Sequence, residues 1–458
     1  MLRAMGWSRL WVVIPVALLA QACASNPKSP TYSTVGTGLS ERSGINASSL
    51  VAPEAWTMPE GTSLEDGITE DEAIAVALWN NPDFHVALTE LGIARADLIT
   101  AGMIRNPILS LLFPWGPKQF EMTLNWPIEM LWQRPRRIAD ARLNGEAVAQ
   151  TLVAHGLRLV AEVRLAFADV EAADRALAIA AGQTALARQL ADISSARLRA
   201  GDISEFEARL ASTDATRIAA ASETRTGTRE AAMLRLRALL GLAAEAPVLT
   251  LTAAGPRATE CGDLAALLKA ALASRPDVRA AELQVEAAGE RAGLEKGRVM
   301  TLSAILDANG EGRQGFEMGP GLAAELPLFS QNQGGRARAA AELDRAGRRY
   351  LATRASVSAG VQTAYAALTA ANNTWRIFGS GTPALARDRE QAQKLYDAGE
   401  ISLMTLLETR QRLNDFEQTR LDAESAVSHA TVRLDEAVGR VCRAPRQAAG
   451  APLPGVQK

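Results

Sequence analysis

Residues suited to catalysis or ligand binding are few in this sequence and lie far apart. The chain of 458 residues contains three cysteines and three histidines. His85, His155 and His429 lack the close spacing to one another or to a cysteine that a metal site requires. No nucleophile is paired with a recognisable base and no phosphate-binding loop is present. The sequence therefore indicates no enzyme, no cofactor and no metal centre.

Cys23 follows a segment that is typical of an export signal. Residues 1–22 combine two arginines, an apolar stretch too short to span a bilayer permanently, and small residues near the end. Residues 19–23 resemble a bacterial lipobox, in which the cysteine becomes a lipid-bearing N-terminus after cleavage. Ala24 stands where an aspartate would commonly signal retention in the inner membrane. We therefore expect lipidation of Cys23 and an outer-membrane destination, with simple secretion as the alternative.

Cys261 and Cys442 are the two remaining cysteines. An exported chain folds in an oxidising compartment, where two cysteines usually pair. We expect a disulfide between them, which would join the two ends of the second half of the chain. The alternative is a pair of free, buried thiols.

The composition favours long helices over a thick globular core. Hydrophobic residues make up 48% of the chain but aromatic residues only 5%, because alanine and leucine supply most of the apolar side chains. Such chains form long, closely packed helices. A net charge of −2 provides no basic surface for nucleic acid, which is excluded as a partner.

Four landmarks occur twice in the same order and at a nearly constant separation, which indicates an internal duplication. The paired landmarks are Pro82 and Pro276, Pro127 and Pro327, Phe167 and Tyr365, and Gly201 and Gly399. The expected organisation is a signal peptide at 1–22, a lipid-anchored, extended strap at 23–67, a first repeat at 68–250, an inter-repeat equatorial segment at 251–262, a second repeat at 263–440 and a tail at 441–458.

Apolar residues follow a helical period after Pro127 and again after Pro327. A continuous helix over 137–199 would be about 95 Å long at about 1.5 Å per residue, and the second copy should likewise run as one helix to its tip. Gly201 and Gly399 should end these helices in a left-handed turn, with the serine three residues later capping a returning helix. The alternative is a glycine inside one uninterrupted helix. The seam expected to pack consists of Leu159, Val163, Ala166, Val170, Ala173, Leu177 and Ala180.

Two β-hairpins, at about 106–128 and 300–328, interrupt the helices of the two copies. From Phe120 to Trp126 apolar residues alternate strictly with polar ones, which gives one wholly apolar face. Such a face suits either a soluble sandwich against helices or a membrane barrel with a polar interior. The strand lengths and the aromatic residues at the strand ends favour the barrel. Four strands cannot close around water, so the barrel must be shared among chains.

The paired motifs resemble those of the TolC-like outer-membrane efflux proteins, and in particular their lipoprotein branch, which includes heavy-metal export components. The motifs are an Asn-Pro-Asp-like phrase at Pro82 with its counterpart at Pro276, the strand exits that lead into arginines, and the Ala-Gly-x-Ile-Ser tips. The stretch 396–408 is especially similar to the second tip of that family. The resemblance covers the chain from about 68 to 440.

The resemblance implies a mainly α fold with β-barrel segments, built from a duplicated helix, β-hairpin and helix-turn-helix repeat. Three identical chains would share a twelve-stranded barrel that continues into a long α-helical periplasmic tunnel. The implied function is a passive, gated conduit of a tripartite efflux system in the outer membrane. Its partners would be a periplasmic adaptor (membrane fusion) protein and an inner-membrane pump of the RND type.

The resemblance also implies a gate at the periplasmic ends of the helices. Tyr396 would hold the closed state by bonding to Glu207 at the first tip, and Thr405 and Glu408 fall where the family carries a ring of acids. Of these two positions only Glu408 is acidic here, so three copies of it would line the constriction and favour cations. The alternatives are a packing role for Tyr396 and ordinary solvated glutamates at 207 and 408.

A periplasmic coiled-coil adaptor or scaffold lipoprotein is the main alternative function, because it too would be rich in alanine and form helical hairpins. Two full copies that each contain an amphipathic β-hairpin speak against it. The cargo stays open between heavy-metal cations and small organic compounds or secreted metabolites.

We predict that peptide mapping of the exported protein will yield a linked pair containing Cys261 and Cys442 that separates on reduction. A Cys442→Ser variant is the control, because it should leave Cys261 open to alkylation in the same preparation. Free thiols at both positions in exported wild-type protein would contradict the disulfide.

Overall fold

The described part of the chain forms two compact units. The computed structural model describes residues 29–47, 56–59, 62–63, 67–115, 120–242, 249–252, 262–310, 315–379 and 382–441. Cys23, Cys261 and Cys442, with the lipid anchor and disulfide expected of them, lie outside the described residues. The sheet unit comprises Met1–Val35, Ala87–Leu152 and Pro276–Arg354, and the helix unit comprises Gly36–Val86, Val153–Arg275 and Ala355–Lys458.

Helices dominate both copies of the repeat, and each copy contributes one β-hairpin. The elements are α1 (Tyr32–Ser43), α2 (Glu70–Asn80), α3 (Pro82–Leu88), α4 (Glu90–Gly102), β1 (Ile108–Leu112), β2 (Phe120–Pro127), α5 (Met130–Ala200), α6 (Glu205–Leu239), α7 (Leu264–Ser274), α8 (Pro276–Gly297), β3 (Leu302–Gly310), β4 (Phe316–Ala324), α9 (Gln333–Gly379), α10 (Thr382–Asp397) and α11 (Leu403–Val438). The predicted fold class, mainly helical with a duplicated order of elements, is confirmed.

Helix α5 runs for 71 residues. The packing seam predicted for it is confirmed at the positions that are buried, because small and branched side chains there let neighbouring helices approach closely. The buried seam residues are Leu159, Val163, Ala166, Val170 and Ala180. None of the described helices is both long enough and apolar enough to cross a membrane.

Helix α1 contradicts the extended strap expected for residues 23–67. Residues 32–43 form a regular helix although they are rich in Ser, Thr and Gly, which disfavour helix. Leu39 is fully buried, and a side chain at Gly156 would collide with it. Tertiary packing at Leu39 therefore selects the helix against its weak intrinsic propensity.

The second-copy helix, predicted as one element, is two. Helix α9 ends at Gly379 and α10 begins at Thr382. Pro383 has no N–H to donate to a preceding turn, and glycine weakens the helix before it. The first copy has Ala185 at the position that corresponds to Pro383, and α5 continues unbroken.

The sheet unit contains one antiparallel sheet with the strand order β1-β2-β3-β4. The hairpins of the two copies join through β2 and β3, where the Thr123 hydroxyl donates a hydrogen bond of 2.8 Å to Asp307. Met122 lies opposite Ala308 and Leu124 opposite Leu306, so apolar residues of both copies share one face. The predicted alternation along β2 is confirmed.

This apolar face and both sheet edges are open in the described chain. Leu109 and Leu111 of β1, and Met318 and Leu322 of β4, are exposed on the same face. The outer strands β1 and β4 each have a single neighbour. An extended apolar surface with free edges is typical of an interaction surface, because either feature alone promotes association in water.

Arg164 of α5 forms a buried ion cluster in the helix unit. Its Nε lies 2.5 Å from Glu70 of α2, and its Nη1 lies 2.7 Å from Asp435 of α11. Burial by itself would lower the pKa of Arg164, but the charges of Glu70 and Asp435 raise the pKa above its ordinary value. The cluster joins α2, α5 and α11, and the two carboxylates offset the cost of burying the Arg164 guanidinium.

We predict that Arg164→Met will lower the free energy of unfolding by about 3–5 kcal/mol, because Glu70 and Asp435 lose their contact with a largely buried guanidinium. Arg175→Met is the matched control, since Arg175 of α5 pairs with Glu424 of α11 but is more exposed. The control should lower the free energy of unfolding by about 1 kcal/mol or less. Denaturant titration followed by circular dichroism measures both, and equal losses would refute the role of burial.

Candidate functional site at the helix tips

Gly201 and Gly399 follow α5 and α10 in left-handed turns, with φ angles of 82° and 76°. At the first tip, the N–H after the glycine donates to the carbonyl of Arg197 at 2.9 Å. At the second, the corresponding N–H donates to the carbonyl of Leu395 at 2.8 Å. This closure is a Schellman motif, in which glycine avoids the clash of a Cβ with the backbone. The two copies therefore turn with the same geometry.

A serine caps the start of both returning helices, but only the first serine forms a capping box with an acidic residue. The Ser204 hydroxyl accepts the N–H of Glu207 at 3.2 Å, and the Glu207 carboxylate accepts the N–H of Ser204 at 2.9 Å. These bonds, the backbone one first, hold the pKa of Glu207 below its ordinary value. In the second copy Ser402 caps α11 through the N–H of Thr405 at 3.2 Å. Thr405 therefore replaces the acidic member of the box.

An apolar core lies behind the two turns and joins the tips of both copies. Helices α5, α6, α10 and α11 all contribute to it, so the tips pack as one body rather than as two separate hairpins. The core residues are Leu190, Ala211, Ala392, Tyr396, Leu403 and Leu406.

Tyr396 is buried in this core but keeps one polar contact. The Arg197 guanidinium lies 5.2 Å from the centroid of its ring, and Arg197 Nη1 donates to the Tyr396 hydroxyl at 3.4 Å. This cation–π contact connects the last turn of α5 to the last turn of α10. Sequence reasoning missed Arg197, although a cation in the last turn of a helix is favoured by the helix dipole.

The structure does not bring Tyr396 and Glu207 together. Among the described side chains the polar partner of Tyr396 is Arg197, whereas the hydrogen bonds of Glu207 all involve Ser204. The physical reason is that Glu207 occupies the third position of its helix, where the capping box holds its carboxylate. The two residues of the expected latch thus have other partners within this single chain.

Glu408 lies on an exposed face of α11, one turn after Thr405. Its carboxylate pairs with Arg412 at 2.6 Å, and both side chains are exposed. An exposed pair four residues apart on a helix contributes little to stability. The structure therefore gives Glu408 no packing role and leaves its charge at the surface of the tip.

An arginine-lined cavity of about 190 Å³ lies among the same four helices. Arg389 pairs there with Glu417 at 2.9 Å, whereas Arg410 donates to the amide oxygen of Gln393 at 2.7 Å. Burial, and after it the charge of Arg389, lowers the pKa of Arg410. Sequence reasoning missed this cluster because its members come from different helices and form no motif along the chain.

The histidines occupy three separate environments. His155 packs edge-on against Phe84 with 5.8 Å between ring centroids, and His429 lies 2.8 Å from Asp169. Burial lowers the pKa of His85. Within the described segments, no group of three His, Cys, Asp or Glu side chains is placed to hold a metal ion.

Comparison with known proteins finds one family model and one curated relative that resemble this chain. Residues 267–440 match the family model described as outer membrane efflux protein. The cobalt-zinc-cadmium resistance protein CzcC of Cupriavidus metallidurans is 24% identical over 379 residues, which cover 81% of this chain and 90% of that protein. Part of the second half of the chain therefore matches the outer membrane efflux family, and most of the chain is similar to one metal-resistance protein.

Solved structures share the fold of this protein. The outer-membrane channel OprN superposes with a TM-score of 0.70 at 19% identity, over 85% of this chain and 98% of OprN. The CmeC outer membrane channel of Campylobacter jejuni superposes with a TM-score of 0.68 at 16% identity, over 85% and 93% of the two chains. These likenesses support the fold, with its long helices and four-stranded sheet.

We predict that Gly399→Ala will lower the free energy of unfolding of this protein by about 1–2 kcal/mol, because a φ of 76° is unfavourable for a residue with a Cβ. Gly227→Ala in α6 is the matched control, since a Cβ there would meet no atom within 4 Å. It should raise stability by up to about 1 kcal/mol. Thermal unfolding by circular dichroism measures both, and a stabilised Gly399→Ala protein would rule out the left-handed turn.

Proposed function

We propose that this protein is the exit duct of a tripartite efflux system. Three identical chains would form a passive, gated conduit that carries small substrates from the periplasm or the pump to the exterior. A periplasmic adaptor protein and an inner-membrane pump of the RND type would supply docking and energy. No residue is assigned a catalytic role.

The open sheet is the observation that carries this proposal. Its apolar face is exposed, whereas Glu121, Thr123, Asp307 and Asn309 lie on the opposite face. A membrane barrel places such an apolar face against lipid and the polar face toward water. Four strands are too few to enclose a channel. We therefore infer that three chains close one barrel of twelve strands through the free edges of β1 and β4.

The same sheet argues against an adaptor or scaffold in the periplasm. A soluble protein would leave Leu109, Leu111, Met318 and Leu322 against water together with two unpaired strand edges. Such a surface favours aggregation. A lipid environment satisfies the apolar face, and neighbouring chains satisfy the edges.

The helix tips would form the gate of the conduit. Three copies of Glu408 would place a ring of carboxylates at the opening, which favours cations over anions. Thr405 makes this ring weaker than one with acids at both positions. In the closed tip, Tyr396 would be held by Arg197. Glu207 would instead cap the start of α6.

Two features outside the described residues complete the proposal. Removal of residues 1–22 would leave Cys23 as the lipid-bearing N-terminus, which anchors the chain to the outer membrane. A disulfide between Cys261 and Cys442 would close the second repeat at its two ends.

We propose heavy-metal cations as the cargo. The relative CzcC is named a cobalt-zinc-cadmium resistance protein, and an acidic opening would admit cations. Expression together with a metal-exporting adaptor and pump, in cells that lack their own duct, should restore growth in zinc or cobalt. Restored resistance to organic compounds alone would assign the duct to the alternative cargo.

Planar-bilayer recording tests the conduit itself. The purified full-length protein should have the mass of three chains in detergent and should give discrete, cation-preferring conductance steps. Protein that remains monomeric, or that never conducts as a trimer, would refute the proposal.

We predict that Glu408→Gln will lower the cation-to-anion permeability ratio by roughly two- to fivefold, equivalent to about 0.4–1 kcal/mol of electrostatic energy per ion. Glu390→Gln is the matched control, because Glu390 forms the same kind of exposed pair with Lys394 at 2.7 Å. Reversal potentials in a salt gradient measure both variants. An unchanged ratio for Glu408→Gln would remove this residue from the gate, and Arg412→Gln should shift the ratio in the opposite direction.

A further inference from the structure

Three arginines lie at the border between helices and strands in the sheet unit, and two of them are held there by hydrogen bonds. Arg134 of α5 donates its Nε to the carbonyl of Gly102, the last residue of α4, at 2.8 Å. Arg137 donates its Nη2 to the carbonyl of Met103 at 3.2 Å. Arg105 follows two residues later and leads into β1. The three side chains therefore start from one small region at the border between helices and sheet.

Carboxylates pair with other arginines of this unit but with none of these three in the described chain. Arg291 contacts Asp140 at 3.1 Å, and Arg298 contacts Glu295 at 2.7 Å. At the corresponding border in the second copy, Arg338 contacts Glu342 at 2.9 Å. Among the described residues, the first-copy cluster thus carries positive charge that no carboxylate pairs with directly.

Arg137 is the member whose surroundings are least favourable for a cation. Its Nε is buried and has no hydrogen-bond partner in the described chain. Burial lowers its pKa, and the charges of Arg105, Arg298 and Arg134 lower it further. Like charges gathered around a partly buried guanidinium are unfavourable unless an anion joins them.

Exposed apolar side chains lie close to the cluster along the chain. They are Met103, which precedes Arg105 by two residues, and Trp132, which precedes Arg134 by two residues. The strands β1 to β4 contain no lysine or arginine, so the basic residues begin where the exposed apolar face ends. An apolar surface edged by an aromatic residue and then by cations is typical of the layer in which a bilayer presents its headgroups.

Capping of α4 explains part of this arrangement but not all of it. Arginines near the end of a helix stabilise its last carbonyl groups, and Arg134 and Arg137 each give one N–H to that role. A guanidinium has five N–H donors, so most donors of both residues are left over. Arg105 takes no part in the cap through its side chain.

We propose that Arg105, Arg134 and Arg137 bind the phosphate of an anionic phospholipid headgroup at the periplasmic border of the barrel. Guanidinium groups bind phosphate oxygens through paired, charge-assisted hydrogen bonds. The lipid phosphate would supply the missing negative charge, and its acyl chains would lie along the exposed apolar face of the sheet. This inference rests on the proposed insertion of the sheet into the outer membrane.

Lipid titration of the purified trimer tests this site. The full-length protein in detergent is titrated with phosphatidylglycerol, with phosphatidylcholine or with inorganic phosphate, and bound lipid is counted by native mass spectrometry. Wild-type protein should retain phosphatidylglycerol in preference to phosphatidylcholine, and added salt should weaken that retention. Arg105→Gln and Arg137→Gln should each weaken it about fivefold.

Two variants distinguish a loss of lipid binding from a loss of the fold. Arg105→Gln removes a side chain that makes no hydrogen bond in the described chain, so it should leave the fold intact. Arg348→Gln is the matched control, since Arg348 is exposed and pairs with Asp344 at 2.8 Å, about 15 residues into α9. Its lipid retention should equal that of the wild type.

Three results would overturn the site. The first is unchanged phosphatidylglycerol retention in both cluster variants, and the second is inorganic phosphate that occupies the site as well as the lipid does. The third is dissociation of the variants into monomers, which would assign the arginines to a contact between chains. Unchanged retention in variants that still form conducting trimers rejects the lipid site alone. Wild-type protein that forms no conducting trimer rejects the proposed duct instead.

Discussion

The structure depends on one constraint: four strands present an apolar face and two free edges that stay exposed in the described chain. Water cannot satisfy such a face, and four strands cannot close on themselves around a channel. Both demands are met when several chains share one barrel in a membrane. The register between β2 and β3 makes this possible, because Thr123 opposite Asp307 aligns the polar faces of both copies. Duplication of the chain thus produces one continuous four-stranded sheet instead of a two-stranded hairpin.

The helical part obeys a different constraint, which is to hold long helices in register with few large side chains. The seam of α5 does so through small and branched residues such as Ala166 and Val170. The Arg164 cluster adds ion pairs that are shielded from water. Loss of such a pair is strongly destabilising, so the cluster favours one register of the helices. At the tips, the core around Tyr396 joins both copies. The two tips therefore pack as one body, and a movement of one tip would disturb the other.

Sequence reasoning succeeded where the signal is local and periodic. The alternation from Phe120 to Trp126 predicted a strand, and the spacing of the α5 seam predicted its buried face. It failed where tertiary packing decides, as at Leu39, which makes a helix of a segment with weak helical propensity. It also failed where residues distant in sequence meet, because Arg197 and Tyr396 belong to different copies and share no motif.

Cross-linking of the outer strands tests the shared barrel most directly. In a chain without other cysteines, Ser110→Cys in β1 and Gly319→Cys in β4 would be joined by a short bismaleimide in native outer membranes. A shared barrel predicts a ladder of one, two and three linked chains that ends at three, and no ladder when either cysteine is absent. Links confined within single chains, or a ladder that continues beyond three, would contradict a barrel closed by three chains.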